Sequence, residues 1–232
     1  LVRAGAIKLG DEVTFCVPTG NFGDVLAGYY AKRLGLPVKK LVVASNENDV
    51  LTDFLTTGTY TARRAFYKTT SPSMDILVSS NLERLLYHVT GSDTEVASLM
   101  KQLNETGSYT VRPETLAAIQ ESFACGWSSE AQVAEEIRAC YEQDHYLCDT
   151  HTAVAFHVAA QHKRDGVPMV VLSTASPFKF PRSVLEALGH ATPANDFEAM
   201  QQLEEATGCT APASLSALRQ KAERFHTVID PE

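Results

Sequence analysis

The sequence predicts an α/β protein in which a βαβ unit forms a parallel-sheet core, followed by a long helical insertion and a helical carboxy-terminal tail. The first observation is a short apolar run at residues 13–17, which leads through a glycine-bearing turn into helical spacing at 24–34. The second is another apolar run at 41–44, which restores the pattern of a strand. The third is a final apolar run at 167–173, after a long stretch of mostly helical pattern.

The βαβ unit has local signals at each boundary. Residues 13–17 are apolar or β-branched, and the run ends at Pro18, which cannot donate a hydrogen bond to a neighbouring strand. The helix at 24–34 repeats apolar side chains at helical spacing and stops at Gly35. A strand, a helix and a second strand in direct succession place the two strands parallel, with the helix crossing over the sheet.

The segments beyond the βαβ unit are predicted to be mainly helical. Residues 46–58 predict a short amphipathic helix, and residues 59–73 predict a polar connection that ends in turn residues. Helical patterns then repeat through residues 74–165, with breaks at 106–108 and 125–126. We therefore expect the chain to leave the sheet over this insertion.

The strand pattern returns only at residues 167–173. This run is apolar throughout, as is typical of a strand in a parallel sheet that is covered on both faces. Two or three amphipathic helices follow from Pro181 and form the predicted tail.

Composition excludes several classes of function. The 232 residues include 20 Lys plus Arg and 28 Asp plus Glu, which gives a net charge of −8 and no clustered positive surface for nucleic acid. No apolar run approaches the roughly 20 residues that span a bilayer, so we expect no membrane role and a cytoplasmic location. The amino end carries no signal peptide pattern and no initiator Met, so we expect the interior of a longer chain.

Cysteine and histidine spacing offers weak evidence for other sites. Five cysteines at irregular spacing predict no disulfide framework. The segment HYLCDTH contains four possible metal ligands and is followed by His157, so a metal-binding or interaction module remains an alternative. The four residues are His145, Cys148, Asp149 and His151. The competing interpretation is that Asp149 opens a helix. Because no CxxC pair is present, we predict no metal site.

A turn between the first strand and the first helix predicts a phosphate site. Residues 19–24 read TGNFGD, at the place where backbone N–H groups and the helix dipole converge on an anion. We expect Gly20 and Gly23 to allow close approach and positive φ, and Asn21 to add an amide donor. The loop matches neither GxxxxGK[ST] nor GxGxxG, which disfavours nucleotide and dinucleotide sites. The alternative is that two glycines merely close a tight turn.

Five ordered blocks carry a resemblance to a known family. They read VPTGNFGDVLAGYYAKRLGLPVKKL, ASNENDVLTDF, TTSPSMDILVSSNLERLLY, DTHTAVAF and VVLSTASPFKFP. In this order they resemble the carboxy-terminal half of the threonine synthase family, pyridoxal-phosphate enzymes of fold type II, from the first residues to about residue 189. The NFGD form differs from the glycine-richer loops of dehydratases and cysteine synthases in the same fold class.

The resemblance implies a cofactor site and an organisation of the chain. The cofactor phosphate would be held by Gly20, Asn21, Phe22, Gly23 and Asp24. Thr174 would face the pyridine nitrogen, and its position just beyond a predicted parallel strand agrees, because ligands bind outside the carboxyl ends of such strands. The implied segments are part of the cofactor-binding large domain at 1–73, a mainly helical insertion at 74–165, and at 166–232 a return to the sheet with a helical tail.

The resemblance also implies an activity, the conversion of O-phospho-L-homoserine and water to L-threonine and phosphate with pyridoxal phosphate. A lysine must bind the cofactor, and in this family it lies upstream of the matching blocks. None of the nine lysines here, Lys179 included, has the matching context, so we expect the chain alone to be inactive. The enzyme alternative is another fold type II lyase, such as a threonine or serine dehydratase.

Several polar residues remain open. Ser71, Ser73 and Asp75 either contact a substrate phosphate or cap the following helix. His151 is either a polar group near the active site or a histidine satisfied by local hydrogen bonds. A local basic patch either attracts an anionic substrate or is a solvated surface: Arg63, Arg64 and Lys68.

Overall fold

The computed structural model describes residues 1–163 and 166–229, and it confirms the predicted α/β class with a parallel sheet. The strands are β1 (Val13–Pro18), β2 (Val38–Ser45), β3 (Thr59–Thr61), β4 (Ser108–Thr110), β5 (Phe123–Trp127) and β6 (Met169–Val171). The helices are α1 (Gly23–Arg33), α2 (Val50–Thr57), α3 (Leu82–Thr90), α4 (Asp93–Thr106), α5 (Pro113–Ser122), α6 (Glu130–Asp144), α7 (Thr150–His162), α8 (Pro181–Ala187), α9 (Asp196–Thr207) and α10 (Ala213–Ser216).

The main sheet has the order β5-β2-β1-β6, and all of its strands are parallel. Cys16 in the middle of β1 pairs with Val42 of β2 on one side and with Val171 of β6 on the other. The predicted βαβ unit is therefore confirmed as β1, α1 and β2. Because parallel strands share one direction, the loops that follow all four strands emerge at one carboxyl edge.

Helices cover both faces of this sheet. On one face, Cys16 and Val42 pack in a core with the buried side chains of α6, α7, α8 and α9. On the other, Val17 and Val43 pack with those of α1 through α5. Coverage on both faces explains why residues 15–17 of β1 and 41–44 of β2 are continuously apolar instead of alternating.

The expectation that the strand pattern returns only at residue 167 is wrong. β5 lies inside the predicted insertion and pairs with β2 from Leu41↔Phe123 to Ser45↔Trp127. The predicted break at 125–126 falls within this strand, where Gly126 is needed for packing, because a Cβ there would lie 2.8 Å from Val158 of α7. β3 and β4 form a second, antiparallel pair across which two tyrosine rings stack, Tyr60 and Tyr109.

The other predicted elements have mixed outcomes. The short helix expected at 46–58 is confirmed as α2, and the helical tail as α8, α9 and α10. The predicted limits of the three segments stay predictions, and the limit at residue 165 lies outside the described residues. No helix in the described part of the chain is long and apolar enough to cross a membrane.

Candidate functional site

The carboxyl edge of the main sheet concentrates the buried polar side chains of the protein. Thr19 follows β1, Asn46 follows β2 and Ser128 follows β5, and all three are buried. Further buried polar residues come from the 69–71 segment and from the start of α7, namely Thr69, Ser71, Asp149, Thr150, His151 and Thr152. Buried polar side chains are uncommon in apolar cores, so their concentration here indicates a candidate ligand-binding site at this edge.

The loop after β1 presents a row of free backbone donors. Thr19 N–H still donates to Ala44 O at 2.9 Å, and the first turn of α1 begins with Leu26 N–H donating to Phe22 O at 3.1 Å. Between them, the N–H groups of residues 20–24 donate to no protein group within the described chain. These donors stand at the positive end of the α1 dipole, which is the arrangement that binds a phosphate or another anion.

The backbone of this loop differs from the expectation for its glycines. Neither Gly20 nor Gly23 has positive φ; the left-handed residue is Phe22, with φ 64° and ψ 5°. The Phe22 ring is fully buried and lies 5.5 Å from the ring of Phe123. Burial of the ring therefore stabilises a conformation that a non-glycine residue rarely adopts.

Gly20 is needed for close approach instead. A Cβ at this position would lie 3.0 Å from Ile76 Cδ1 and 3.1 Å from both Met74 Cα and Ser73 O. A Cβ on Gly23 would meet only Asn81 Nδ2, at 3.4 Å. The loop is thus pressed against the 73–76 segment at Gly20, and only the first of the two glycines is sterically required.

The segment before α3 holds the other side of the loop. Ser79 Oγ donates to Gly20 O at 2.8 Å, and Asn81 Nδ2 donates to Asn21 O at 2.8 Å. The Asn21 side chain accepts through Oδ1 from Ser80 Oγ at 3.2 Å. Its Nδ2 has no protein partner in the described residues, so it is free to donate to a ligand.

Ser71 and Asp75, which the sequence leaves open, are engaged with other protein groups. Asp75 Oδ1 accepts from Asn46 Nδ2 at 2.8 Å and from Asn48 Nδ2 at 2.9 Å. Asn46 Nδ2 also lies 3.0 Å from Ser71 Oγ, and Thr69 Oγ1 donates to Asp75 Oδ1 at 2.7 Å. This buried network supports the turn that packs against Gly20, which sequence reasoning missed because its members come from distant segments.

A second buried network lies at the start of α7. Asp149 is the N-cap, accepts from the backbone N–H groups of His151 and Thr152, and also accepts from both of their side chains. Burial alone raises the pKa of Asp149, but the hydrogen bonds from His151 and Thr152 outweigh it and hold the pKa below its ordinary value. His151 Nε2 accepts from Ser73 N–H at 3.2 Å, so both of its ring nitrogens have partners.

The metal alternative has no geometric support in the described residues, since no group of three or more His, Cys, Asp or Glu side chains is arranged to hold an ion. His145 ends α6 in a left-handed conformation and is exposed. Cys148 is buried, and Asp149 and His151 are committed to each other. The sequence cluster is therefore a helix boundary.

Thr174 lies in the loop after β6, three residues beyond the end of the strand, and is exposed. Its hydroxyl has no partner among the described residues, although the neighbouring Ser173 Oγ accepts from Tyr146 OH at 3.1 Å. Leu172 N–H still donates to Cys16 O at 3.0 Å, which fixes the exit of this loop beside β1. The loop after β1 and the loop that carries Thr174 thus emerge from adjacent strands at the same edge.

The remaining candidate cations are mostly engaged. Arg64 forms ion pairs of 2.6 Å with both Asp49 and Asp53, and Arg63 donates to Glu105 O at 3.2 Å. Lys179 places its ammonium 5.3 Å from the centre of the Phe180 ring. Within the predicted basic patch, the charge of Arg64 is therefore neutralised by two carboxylates, whereas Arg63 is held by a backbone carbonyl.

Comparison with known proteins agrees with the ordered blocks. A sequence model of the family described as "Threonine synthase, C-terminal" matches residues 152–232. Threonine synthase of Schizosaccharomyces pombe is 42% identical over 203 residues, which cover 77% of this chain and 40% of that protein. Threonine synthase of Methylobacillus glycogenes is 44% identical over 184 residues, covering 77% of this chain and 39% of that protein. The chain matches the carboxy-terminal part of threonine synthases.

Solved structures of threonine synthases have the same fold. The pyridoxal-phosphate-bound threonine synthase of Brucella melitensis superposes with a TM-score of 0.82 at 40% identity, covering 97% of this chain and 44% of that chain. The yeast enzyme gives a TM-score of 0.79 at 33% identity, covering 91% and 43%. The chain therefore spans less than half the length of these threonine synthases. The predicted resemblance is confirmed, and the family match extends past residue 189 to residue 232.

Proposed function

We propose that this chain is the carboxy-terminal part of a pyridoxal-phosphate-dependent threonine synthase, which converts O-phospho-L-homoserine and water to L-threonine and phosphate. The observation that carries the proposal is the row of backbone N–H groups at residues 20–24, at the start of α1, which have no partner within residues 1–163 and 166–229. The match to the threonine synthase C-terminal model and the similarity to the cofactor-bound Brucella protein support the same assignment.

The residues present fit the cofactor at both of its ends. The N–H groups of residues 20–24 and the α1 dipole would hold the phosphate, and Asn21 Nδ2 would add a side-chain donor. Because Gly20 has no side chain, this loop can pack closely against the 73–76 segment. Thr174, on the loop after the adjacent strand, would donate its hydroxyl proton to the pyridine nitrogen. When bound, pyridoxal phosphate stabilises negative charge that develops on the substrate at the carbons near the substrate's amino group.

The chain's own groups would shape this chemistry in two ways. A hydroxyl at Thr174 holds its proton on Oγ1 and leaves the pyridine nitrogen neutral, whereas a carboxylate there would keep that nitrogen protonated. The buried network around Asn46 and Asp75 fixes one wall of the site before any ligand binds, which lowers the cost of ordering it.

The lysine that binds the cofactor is expected from a part of the enzyme outside these 232 residues. Several lysines of this chain are committed elsewhere: Lys39 pairs with Glu12 at 3.0 Å, and Lys40 donates to Gln120 O and Glu121 O. We therefore expect the 232-residue chain alone to produce no threonine.

The test uses the full-length enzyme that carries this chain. We expect phosphate and L-threonine to be released in equal amounts from O-phospho-L-homoserine, in a reaction that requires added pyridoxal phosphate. Thr174→Val should lower the turnover, and Thr174→Ser, which keeps the hydroxyl, should restore most of it. Formation of an oxo acid from threonine or serine, without phosphate release from O-phospho-L-homoserine, would instead support the dehydratase alternative.

A further inference from the structure

Asp149 lies between the two loops that the proposed function assigns to the cofactor. Its side chain is completely buried at the start of α7, and its two carboxylate oxygens face different neighbours. Each oxygen begins a short series of contacts, one toward the phosphate loop and the other toward the loop that carries Thr174.

The first series reaches the phosphate loop. Asp149 Oδ1 accepts from His151 Nδ1 at 2.9 Å, which leaves His151 Nε2 as an acceptor for Ser73 N–H at 3.2 Å. Ser73 O in turn lies 3.1 Å from the place that a Cβ on Gly20 would occupy. These contacts require the tautomer with the proton on Nδ1, because an Nε2–H group would oppose the Ser73 N–H group.

The second series reaches the loop after β6. Asp149 Oδ2 accepts a short hydrogen bond from Thr152 Oγ1. The same Thr152 oxygen lies 3.4 Å from Ser173 Oγ, and Ser173 Oγ accepts from Tyr146 OH. Ser173 immediately precedes Thr174, so this contact helps to fix the position of the Thr174 side chain.

We propose that Asp149 is a positioning residue that sets the phosphate loop and the Thr174 loop at the spacing the bound cofactor requires. The inference rests on the proposed function, because it concerns the same cofactor. A carboxylate suits this role, since its two oxygens accept several strong, charge-assisted hydrogen bonds in a fixed plane.

Helix capping alone does not account for the arrangement. A cap needs only one side-chain oxygen that accepts from the first backbone N–H groups, and Asn195 does this for α9 with one oxygen, Oδ1. Asp149 has the capping bonds as well as the side-chain bonds to His151 and Thr152. The side-chain bonds are the ones that lead to the two loops.

The test compares variants of the full-length enzyme by two signals from the bound cofactor. The ³¹P chemical shift reports the phosphate end, and the visible absorption band reports the ring end. Asp149→Ser keeps a capping oxygen but cannot bridge both neighbours, so it should change both signals and lower kcat/KM about 10- to 100-fold, as expected for a small misplacement of reacting groups.

Two variants divide the effect between the loops. His151→Phe keeps the ring packed against Phe180, 4.8 Å away, but loses the bond to Ser73, so it should change the ³¹P signal alone. Thr152→Val should change the visible band alone. Asn195→Ala removes the cap of α9, a helix that contributes none of the proposed site residues, and it should lower the melting temperature while leaving both signals unchanged.

The outcomes separate this inference from the proposed function. If cofactor-saturated Asp149→Ser enzyme shows both wild-type signals, the positioning role is wrong, although threonine synthesis by the wild type would still support the proposed function. If the wild type neither binds pyridoxal phosphate nor makes threonine, the proposed function fails. If Asp149→Ser does not fold, the His151 and Thr152 variants decide: separate changes at the two ends support the role, and no change at either end overturns it.

Discussion

The loops after β1 and β6 emerge from neighbouring strands but differ in how the protein supports them. The β1 loop contains the fully buried Phe22, packs against the 73–76 segment, and accepts hydrogen bonds from Ser79 and Asn81. The β6 loop follows a strand of only three partly exposed residues, and Thr174 within it is exposed. One loop packs into the core of this chain, and the other is held by the Leu172 N–H bond to Cys16 O and by the contacts of Ser173.

This contrast separates stability from chemistry. A change in the β1 loop disturbs packed side chains, so it should affect folding and cofactor binding together. A change at Thr174 removes a hydroxyl that no protein group among the described residues contacts, so it should affect the reaction with little effect on folding. Each prediction below is made for the full-length enzyme and tests one side of this contrast.

The largest effect is expected at Phe22. Phe22→Ala removes a fully buried ring that contacts Phe123 and so leaves a cavity, and it should destabilise the protein by about 3–5 kcal/mol. Urea unfolding measures this loss. A loss below about 1 kcal/mol would show that the β1 loop is not part of the core.

A smaller effect is expected at Gly20. Gly20→Ala places a Cβ about 3 Å from backbone atoms of the 73–74 segment, and overpacking of this kind costs about 1–3 kcal/mol. Gly23→Ala is the matched control, since its Cβ would meet only a side-chain amide at 3.4 Å. Cofactor titration should show a much weaker complex for Gly20→Ala than for Gly23→Ala, and equal affinities would contradict the close-packing account.

Asp149 should give the protein part of its acid sensitivity. Because its pKa in the folded protein lies below the ordinary value, its stabilising effect is complete above the usual aspartate pKa of about 4 and is lost as the pH falls through the folded pKa. The stability difference between wild type and Asp149→Asn should therefore shrink as the pH is lowered from neutral to this acidic range.

Melting temperatures across pH measure this difference. Asp93→Asn, at an exposed position in the first turn of α4, serves as the control and should leave the acid limb of the wild-type curve unchanged. A constant difference between wild type and Asp149→Asn at all pH values would contradict the assignment of the acid sensitivity to Asp149.

The smallest effect on stability is expected at Thr174. Thr174→Val should change the unfolding free energy by no more than about 0.5 kcal/mol, because the residue is exposed and its hydroxyl has no protein partner in the described chain. The same variant should shift the visible band of the bound cofactor. A large loss of stability would show that Thr174 has a structural role.

Local patterns predicted the elements whose signals are contained in their own residues. The apolar run of β1, the spacing of α1 and the stop at Gly35 were sufficient for the βαβ unit. β5 was not predicted, because five residues that include Cys125 and Gly126 have no strand pattern of their own. The need for a glycine at position 126 arises from close contact with Val158, which lies in α7 and not in β5.

The candidate site shows the same limit. The TGNFGD turn predicted an anion site, but the left-handed residue proved to be Phe22, because a buried ring stabilises it there. The partners of His151 were not predictable, since Ser73 lies 78 positions away along the chain. A signal was nevertheless present in the DTHTA block, whose Asp149 is a typical helix cap.

The most direct test of the account is a crystal structure of the full-length enzyme with pyridoxal phosphate. We predict that the phosphate oxygens lie about 2.7–3.2 Å from the backbone nitrogens of residues 20–24, with Thr174 Oγ1 at a similar distance from the pyridine nitrogen. A cofactor whose phosphate lies outside this loop, or whose ring is turned away from Thr174, would contradict the central claim.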